Sequence, residues 1–128
     1  MSASSPRELV WIGSSLKDLR EFPEDVRQMM GFALYMAESG GKHIAAKPLR
    51  GYGGAGVLEV VDDFDGDTYR TVYTVRFAEA IYVLHAFQKR STRGVATPKR
   101  EVEIVNARLE LARQLHTQRA SSRKGDTR

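Results

Sequence analysis

Asp65-Gly66 is the dipeptide that most constrains how this chain can fold. Asp-Gly accepts the two consecutive positive φ angles of a type I′ turn, whose twist matches that of the strands it joins. Its flanks suit such a turn. Val57 to Asp62 before it and Thr68 to Phe77 after it are rich in β-branched and aromatic residues. A third run of this kind, Ile81 to Gln88, follows Ala78-Glu79. The middle of the chain therefore predicts an antiparallel meander. With a two-residue loop at Asp65-Gly66, Phe64 faces Asp67, Val61 faces Arg70 and Glu59 faces Val72. With Ala78-Glu79 turning the next hairpin, Phe77 faces Ala80, Val72 faces His85 and Arg70 faces Phe87.

The segments around the meander complete an α+β pattern. Leu9 to Ile12 is a short apolar run ending at Gly13, which predicts a buried strand. Ser14 and Ser15 can cap a short helix bearing Leu16 and Leu19. Pro23 opens a longer helix, with Glu24 and Asp25 in its first turn, where the helix dipole favours anions. Its apolar positions Phe22, Val26, Met29, Met30, Ala33, Leu34 and Ala37 follow helical spacing, and Gly40-Gly41 end it. After the meander, Thr97-Pro98 starts a last helix, a capping hydroxyl followed by proline. Val102, Val105, Leu109 and Ala112 form its apolar stripe, and Ile104, Leu111 and Leu115 widen it. Met1 to Arg7 reads as a frayed end, and residues 117–128 read as a disordered basic tail. The expected architecture is one domain over residues 1–116, a twisted, mostly antiparallel four-stranded sheet with helices on one face.

Composition excludes several functions. The 128 residues allow one core. Without cysteine there is no disulfide framework or thiol catalysis, and three scattered histidines do not make a zinc site, so no metal or other cofactor is expected. No apolar run approaches the roughly 20 residues that span a bilayer. The N-terminal residues lack the apolar core of a signal peptide, which predicts a cytoplasmic protein. The glycine-rich stretch from Lys47 to Gly56 lacks a Gly-Lys-Ser/Thr ending and no helix follows it. It reads as a loop that brings Lys47 and Arg50 to a binding surface rather than as a nucleotide loop.

Charge is unevenly spread. Residues 1–83 carry nine Lys/Arg against twelve Asp/Glu, and residues 84–128 carry eleven against four. The net +7 of the last third suits a polyanion or an acidic partner; a solvated tail is the alternative. In the meander's register, Leu58, Val60, Tyr69, Tyr73, Val75, Phe77, Tyr82, Leu84 and Ala86 share one face, the expected core. The other holds Glu59, Val61, Arg70, Val72, Thr74, Arg76, Val83, His85, Phe87 and Lys89, and is expected to be open. Guanidinium and ammonium groups there hold phosphates, an aromatic stacks on a base, and histidine exchanges a proton near neutral pH. Each of these side chains also has a purely structural reading.

Tyr69-Arg70, then Ile81-Tyr82-Val83-Leu84-His85-Ala86-Phe87-Gln88-Lys89-Arg90, then Thr97-Pro98 with Glu101, Glu103, Ile104 and Ala107, resemble the HigB-like, phage-derived branch of the RelE/ParE toxin superfamily. Lys47-Pro48-Leu49-Arg50-Gly51 and Val57-Leu58-Glu59 approximate its upstream pattern. The resemblance runs from about Leu9 to Leu115 and is most specific in its C-terminal block. It implies a RelE-like fold whose open sheet face is the active surface. It also implies a type II toxin–antitoxin role, a ribosome-dependent mRNA endonuclease held in a hetero-oligomer by a helix-turn-helix, HigA-like antitoxin. The RNA 2′-hydroxyl would attack the adjacent phosphate without a metal. Arg70 and Lys89 would stabilise phosphate charge, and His85 and Glu59 are the candidates for proton transfer. Lys47, Arg50, Arg76, Phe87, Arg90, Arg93 and Lys99 are the RNA-binding candidates. Arg90 stands where the family more often has a second lysine, and the loop Ser91 to Ala96 is longer than usual. Two other functions fit the same fold: a ParE-type toxin that binds gyrase, and an inactive prophage-derived binding module.

Overall fold

A computed structural model describes residues 7–52, 56–89 and 97–126. The strands are β1 (Glu8–Trp11), β2 (Ala46–Pro48), β3 (Val57–Phe64), β4 (Asp67–Thr74) and β5 (Ala80–Lys89), and the helices are α1 (Ser15–Arg20), α2 (Glu24–Glu38) and α3 (Lys99–Asp126). The strands form one mixed sheet in the order β1-β5-β4-β3-β2, with β1 parallel to β5 and the other pairs antiparallel. The sheet thus has five strands rather than the expected four. The added strand, β2, overlaps the start of the stretch read as a loop. Pro48 cannot donate to a ladder, and it is tolerated because β2 is an edge.

The first hairpin folds as its turn dictates. Asp65 and Gly66 have φ of 54° and 86°, and the ladder aligns Phe64 with Asp67, Val61 with Arg70 and Glu59 with Val72. The second hairpin keeps Arg70 opposite Phe87 and Val72 opposite His85, then shifts by one residue, so that Tyr73 faces Val83 and Thr74 faces Tyr82. Leu84 is the extra residue of this β-bulge. Side chains alternate along a strand, so one inserted residue exchanges the faces of everything beyond it. Val83 and Ile81 therefore pack with Leu58, Val60 and Tyr73, while Tyr82 and Leu84 lie on the opposite side, the reverse of the expected assignment.

The second correction concerns the helices, which cover both faces. Val26, Met30, Ala33, Leu34 and Ala37 of α2 close one core over Leu58, Val60, Tyr69, Tyr73, Ile81, Val83 and Ala86. Val105 and Ala112 of α3, with Leu109 beside them, close a second core over Val57, Val72, Tyr82, Leu84 and Phe87. The face expected to be open is a buried interface. The apolar stripe of the last helix needs an apolar surface, and the bulge supplies part of it by turning Tyr82 and Leu84 toward α3. Helix α3 also continues to Asp126, so residues 117–126 are helical rather than disordered. Thr117 caps back onto the Arg113 carbonyl, and Arg119 forms an ion pair with Glu8 of β1.

Candidate functional site

The candidate residues lie where the start of α3 crosses β3, β4 and β5. Glu59, Val72 and His85 stand in one row across these strands, and Arg70 and Phe87 stand in the next. Arg70 is 5% exposed and Glu59 4%. Arg70 Nη1 donates to Glu59 Oε2 at 2.9 Å, and the Thr97 hydroxyl, just before α3, donates to the same oxygen at 2.9 Å while accepting from Arg70 at 3.3 Å. The pair is thereby paired and hydrogen-bonded, the condition under which buried charge is tolerated. It fastens the entry of α3 to the sheet.

A second cluster adjoins it. His85 Nε2 lies 2.6 Å from Glu101 Oε1, in the first turn of α3, and the imidazole stacks on Phe87 with centroids 5.0 Å apart. The Glu101 side chain is 22% exposed against 6% for His85, so the carboxylate is the outer member of the pair. Arg108, two turns further along α3, donates through Nη1 to the Leu84 carbonyl at 3.0 Å and to His85 Nδ1 at 3.3 Å. Its Nη2 donates to Ser14 Oγ at 3.0 Å, and the Ser14 hydroxyl donates to Asp18 Oδ2 at 2.7 Å. These groups line a cleft of about 420 Å³ between α1, the end of β5 and the start of α3, with Phe87, Gln88, Arg100 and Glu101 on its walls. The cleft offers a proton acceptor backed by an imidazole, cations for an anionic ligand, and an aromatic edge.

The expected site residues are partly gathered and partly dispersed. His85, Phe87 and the half-buried Lys89 share the α3 side of β5, and exposed Lys99 opens α3 beside them. Lys47 lies opposite Glu59 on the exposed edge, three strand spacings from His85, or about 14 Å. Arg50 is exposed in the turn after β2. Arg76 belongs to the connection before β5, at the opposite end of that ten-residue strand from Lys89, about 30 Å along it. There its guanidinium lies 5.9 Å from the Phe77 ring. Arg90 and Arg93 fall outside the described residues, as do Gly53 to Ala55 of the glycine stretch. Among the described residues no group of His, Asp and Glu is arranged to hold a metal ion.

Thr97, Glu101, Arg108, Ser14 and Asp18 were not among the candidates. The signal for two of them lies in the sequence. Glu101, Val105, Arg108 and Ala112 fall at the spacing of one helical face, so two charges stand on the stripe that must be buried. A charge on such a stripe needs a polar partner opposite, and His85 and the bulge carbonyl provide it.

Residues 17–110 match the model of the family described as phage derived protein Gp49-like (DUF891). The chain belongs to this family, which is one of RelE/HigB-like toxins. No curated protein matches the sequence. No described helix is long and apolar enough to cross a membrane.

Proposed function

We propose that the protein is the toxin of a type II toxin–antitoxin pair, acting in the cytoplasm as a ribosome-dependent mRNA endonuclease. A HigA-like helix-turn-helix antitoxin would neutralise it in a hetero-oligomer. The observation that carries this reading is the 2.6 Å contact between His85 and Glu101 at the wall of a cation-lined cleft. Membership of a RelE/HigB-like toxin family supports it at the coarser level.

In the proposed reaction the RNA 2′-oxygen attacks the adjacent phosphorus, the bond to the 5′-oxygen breaks, and a cyclic phosphate and a free 5′-hydroxyl remain. The nucleophile belongs to the substrate, so no metal-activated water enters the step. Glu101, as the outer member of its pair, takes the 2′-hydroxyl proton, and His85 orients it from behind; O5′ is protonated from solvent at the cleft mouth. Lys89 and Arg100 meet the charge that builds on the phosphate, worth about 3–4 kcal/mol for a well-placed donor. Lys99 and, further away, Lys47 and Arg50 hold the RNA backbone. Arg70 and Glu59 are assigned here as the brace that seats α3 and not as groups that touch substrate.

The test is induction of the toxin followed by mapping of mRNA 5′ ends. In-frame cuts within translated codons support the reading. Intact mRNA with DNA damage overturns it in favour of a gyrase-binding toxin. Glu101→Gln, which keeps size and shape, is expected to fold normally and to lower cleavage by about 100- to 10,000-fold, the range of a lost general base.

A further inference from the structure

We propose that Arg108 is the positioning residue of the His85–Glu101 pair, holding His85 as the neutral imidazole with its proton on Nε2. A guanidinium has only donors and stays charged. The ring nitrogen it approaches, Nδ1 at 3.3 Å, therefore presents its lone pair. The single ring proton then sits on Nε2, where Glu101 Oε1 accepts it at 2.6 Å. A proton on Nδ1 would set donor against donor, and in the imidazolium also charge against like charge.

The guanidinium is itself held in a built seat. The β-bulge places the Leu84 carbonyl where Nη1 reaches it at 3.0 Å, and Ser14 takes Nη2 at 3.0 Å. Gly13, at φ +57°, lies beneath: a Cβ there would come within 2.8 Å of Arg108 Cζ and Nε. The glycine serves both the backbone conformation and the close approach. One side chain of α3 thus reads the β1–α1 turn, the bulge and the histidine at once. The geometry of the pair is set by tertiary packing rather than by the two residues alone.

The catalytic use of this positioning rests on the nuclease reading; the tautomer does not, and the experiment separates them. Long-range ¹H–¹⁵N spectra of the full ¹⁵N-labelled chain, assigned with His85→Gln, report which ring nitrogen carries the proton. The expected result is protonation at Nε2 alone in the parent at neutral pH. In Arg108→Met the two nitrogens average between tautomers, and the RNA-cleavage rate at saturating substrate falls on the order of 100-fold, as a misplaced catalytic group does, with little change in KM. Arg108→Lys, which donates to Nδ1 without the fork that reaches Ser14, gives an intermediate value of both. Arg113→Met, on the exposed side of α3, changes neither. If Arg108→Met does not fold, Ser14→Ala loosens the same seat and shifts the spectra in the same direction by less. A His85 protonated at Nδ1 in the parent, or unaltered nitrogen shifts in the Arg108→Met and Ser14→Ala variants, overturns the role of Arg108. The expected tautomer in a parent that cuts no RNA overturns the nuclease reading and leaves Arg108 as the histidine's anchor.

Discussion

Beneath α2 the sheet presents Leu58, Val60, Tyr73, Ile81 and Val83, whereas beneath α3 Val72, Leu84 and Phe87 are interleaved with Glu59, Arg70 and His85. The two interfaces share one sheet and differ in what holds them. The α2 interface is joined by apolar area, which is non-directional and tolerates small shifts. At the entry and first three turns of α3, directional bonds fix the helix: Thr97 with Glu59, Glu101 with His85, and Arg108 with Leu84, His85 and Ser14. Buried polar groups of this kind cost free energy unless every member is satisfied, and in return they specify one arrangement. Both interfaces carry stability, but only one also carries the candidate chemistry, so the two are separable by mutation.

The sharpest break in this comparison is Arg70→Met. It leaves Glu59 buried without its countercharge and is expected to cost about 3–5 kcal/mol of stability by urea unfolding. Adding Glu59→Leu removes the stranded charge and is expected to recover most of that loss. If the recovered double variant folds and still cleaves RNA, the pair is a brace. If it folds and cleaves nothing, Arg70 belongs to the reaction and the assignment made above fails.

On the other side, Met30→Ala opens a cavity in a fully buried site of α2 and is expected to cost about 2–5 kcal/mol. Cleavage by the folded fraction should be unchanged, and a lower rate per folded molecule would show that the two interfaces are coupled.

Tyr73 gives a smaller effect of opposite sign. Its hydroxyl is buried against the α2 side without a hydrogen-bond partner among the described residues, and burial pushes its pKa up to about 12. Tyr73→Phe removes a desolvated polar group and should leave stability equal or raise it by about 1 kcal/mol, read from the denaturation midpoint. A clear loss would mean the hydroxyl is satisfied and this interface too is directional.

The smallest expected change is at Asp62, also on the α2 side. Burial raises its carboxyl above the ordinary 3.8, with Asp63 and Asp25 adding to the rise and His43 opposing it. A folded value above the unfolded one favours the folded state below the unfolded pKa, and this contribution is lost as pH rises through the folded value. Asp62→Asn should therefore gain slightly over the parent at pH 7, and the gain should vanish below about pH 4 when urea midpoints are compared. A gain that persists in acid would remove the electrostatic cause.

Local chemistry made much of the fold legible. Asp65-Gly66 carries its turn in two residues, and the spacing of Val26, Met30, Ala33 and Ala37 carries α2. Pro98 marks the place where α3 starts, one residue before Lys99, although the Thr97 hydroxyl is taken by Glu59 rather than capping the helix. His85, Phe87 and Lys89 were placed together because two-residue periodicity survives from Arg70 to the end of β5. Edge strand β2 was not legible, because three residues containing a proline become a strand only when β3 offers them a partner.

What the sequence determined by itself is whatever depends on neighbours in the chain: turn type, helical stripe, and the register of the first hairpin. The expected caps do not form, because the Ser14, Ser15 and Thr97 hydroxyls bond Asp18, the Val83 carbonyl and Glu59 instead. What only the tertiary structure decided is which surfaces meet. The bulge at Leu84 leaves no local mark, since it answers the packing of α3 on one side and α2 on the other, yet it exchanges the faces of Ile81, Tyr82 and Val83. The burial of Arg70 and Glu59 follows from α3 lying across them, as does the meeting of His85 with Glu101 and Arg108 from 16 and 23 residues away. Periodicity names the face a side chain takes, but the partner on that face is set by the free energy of covering the whole sheet.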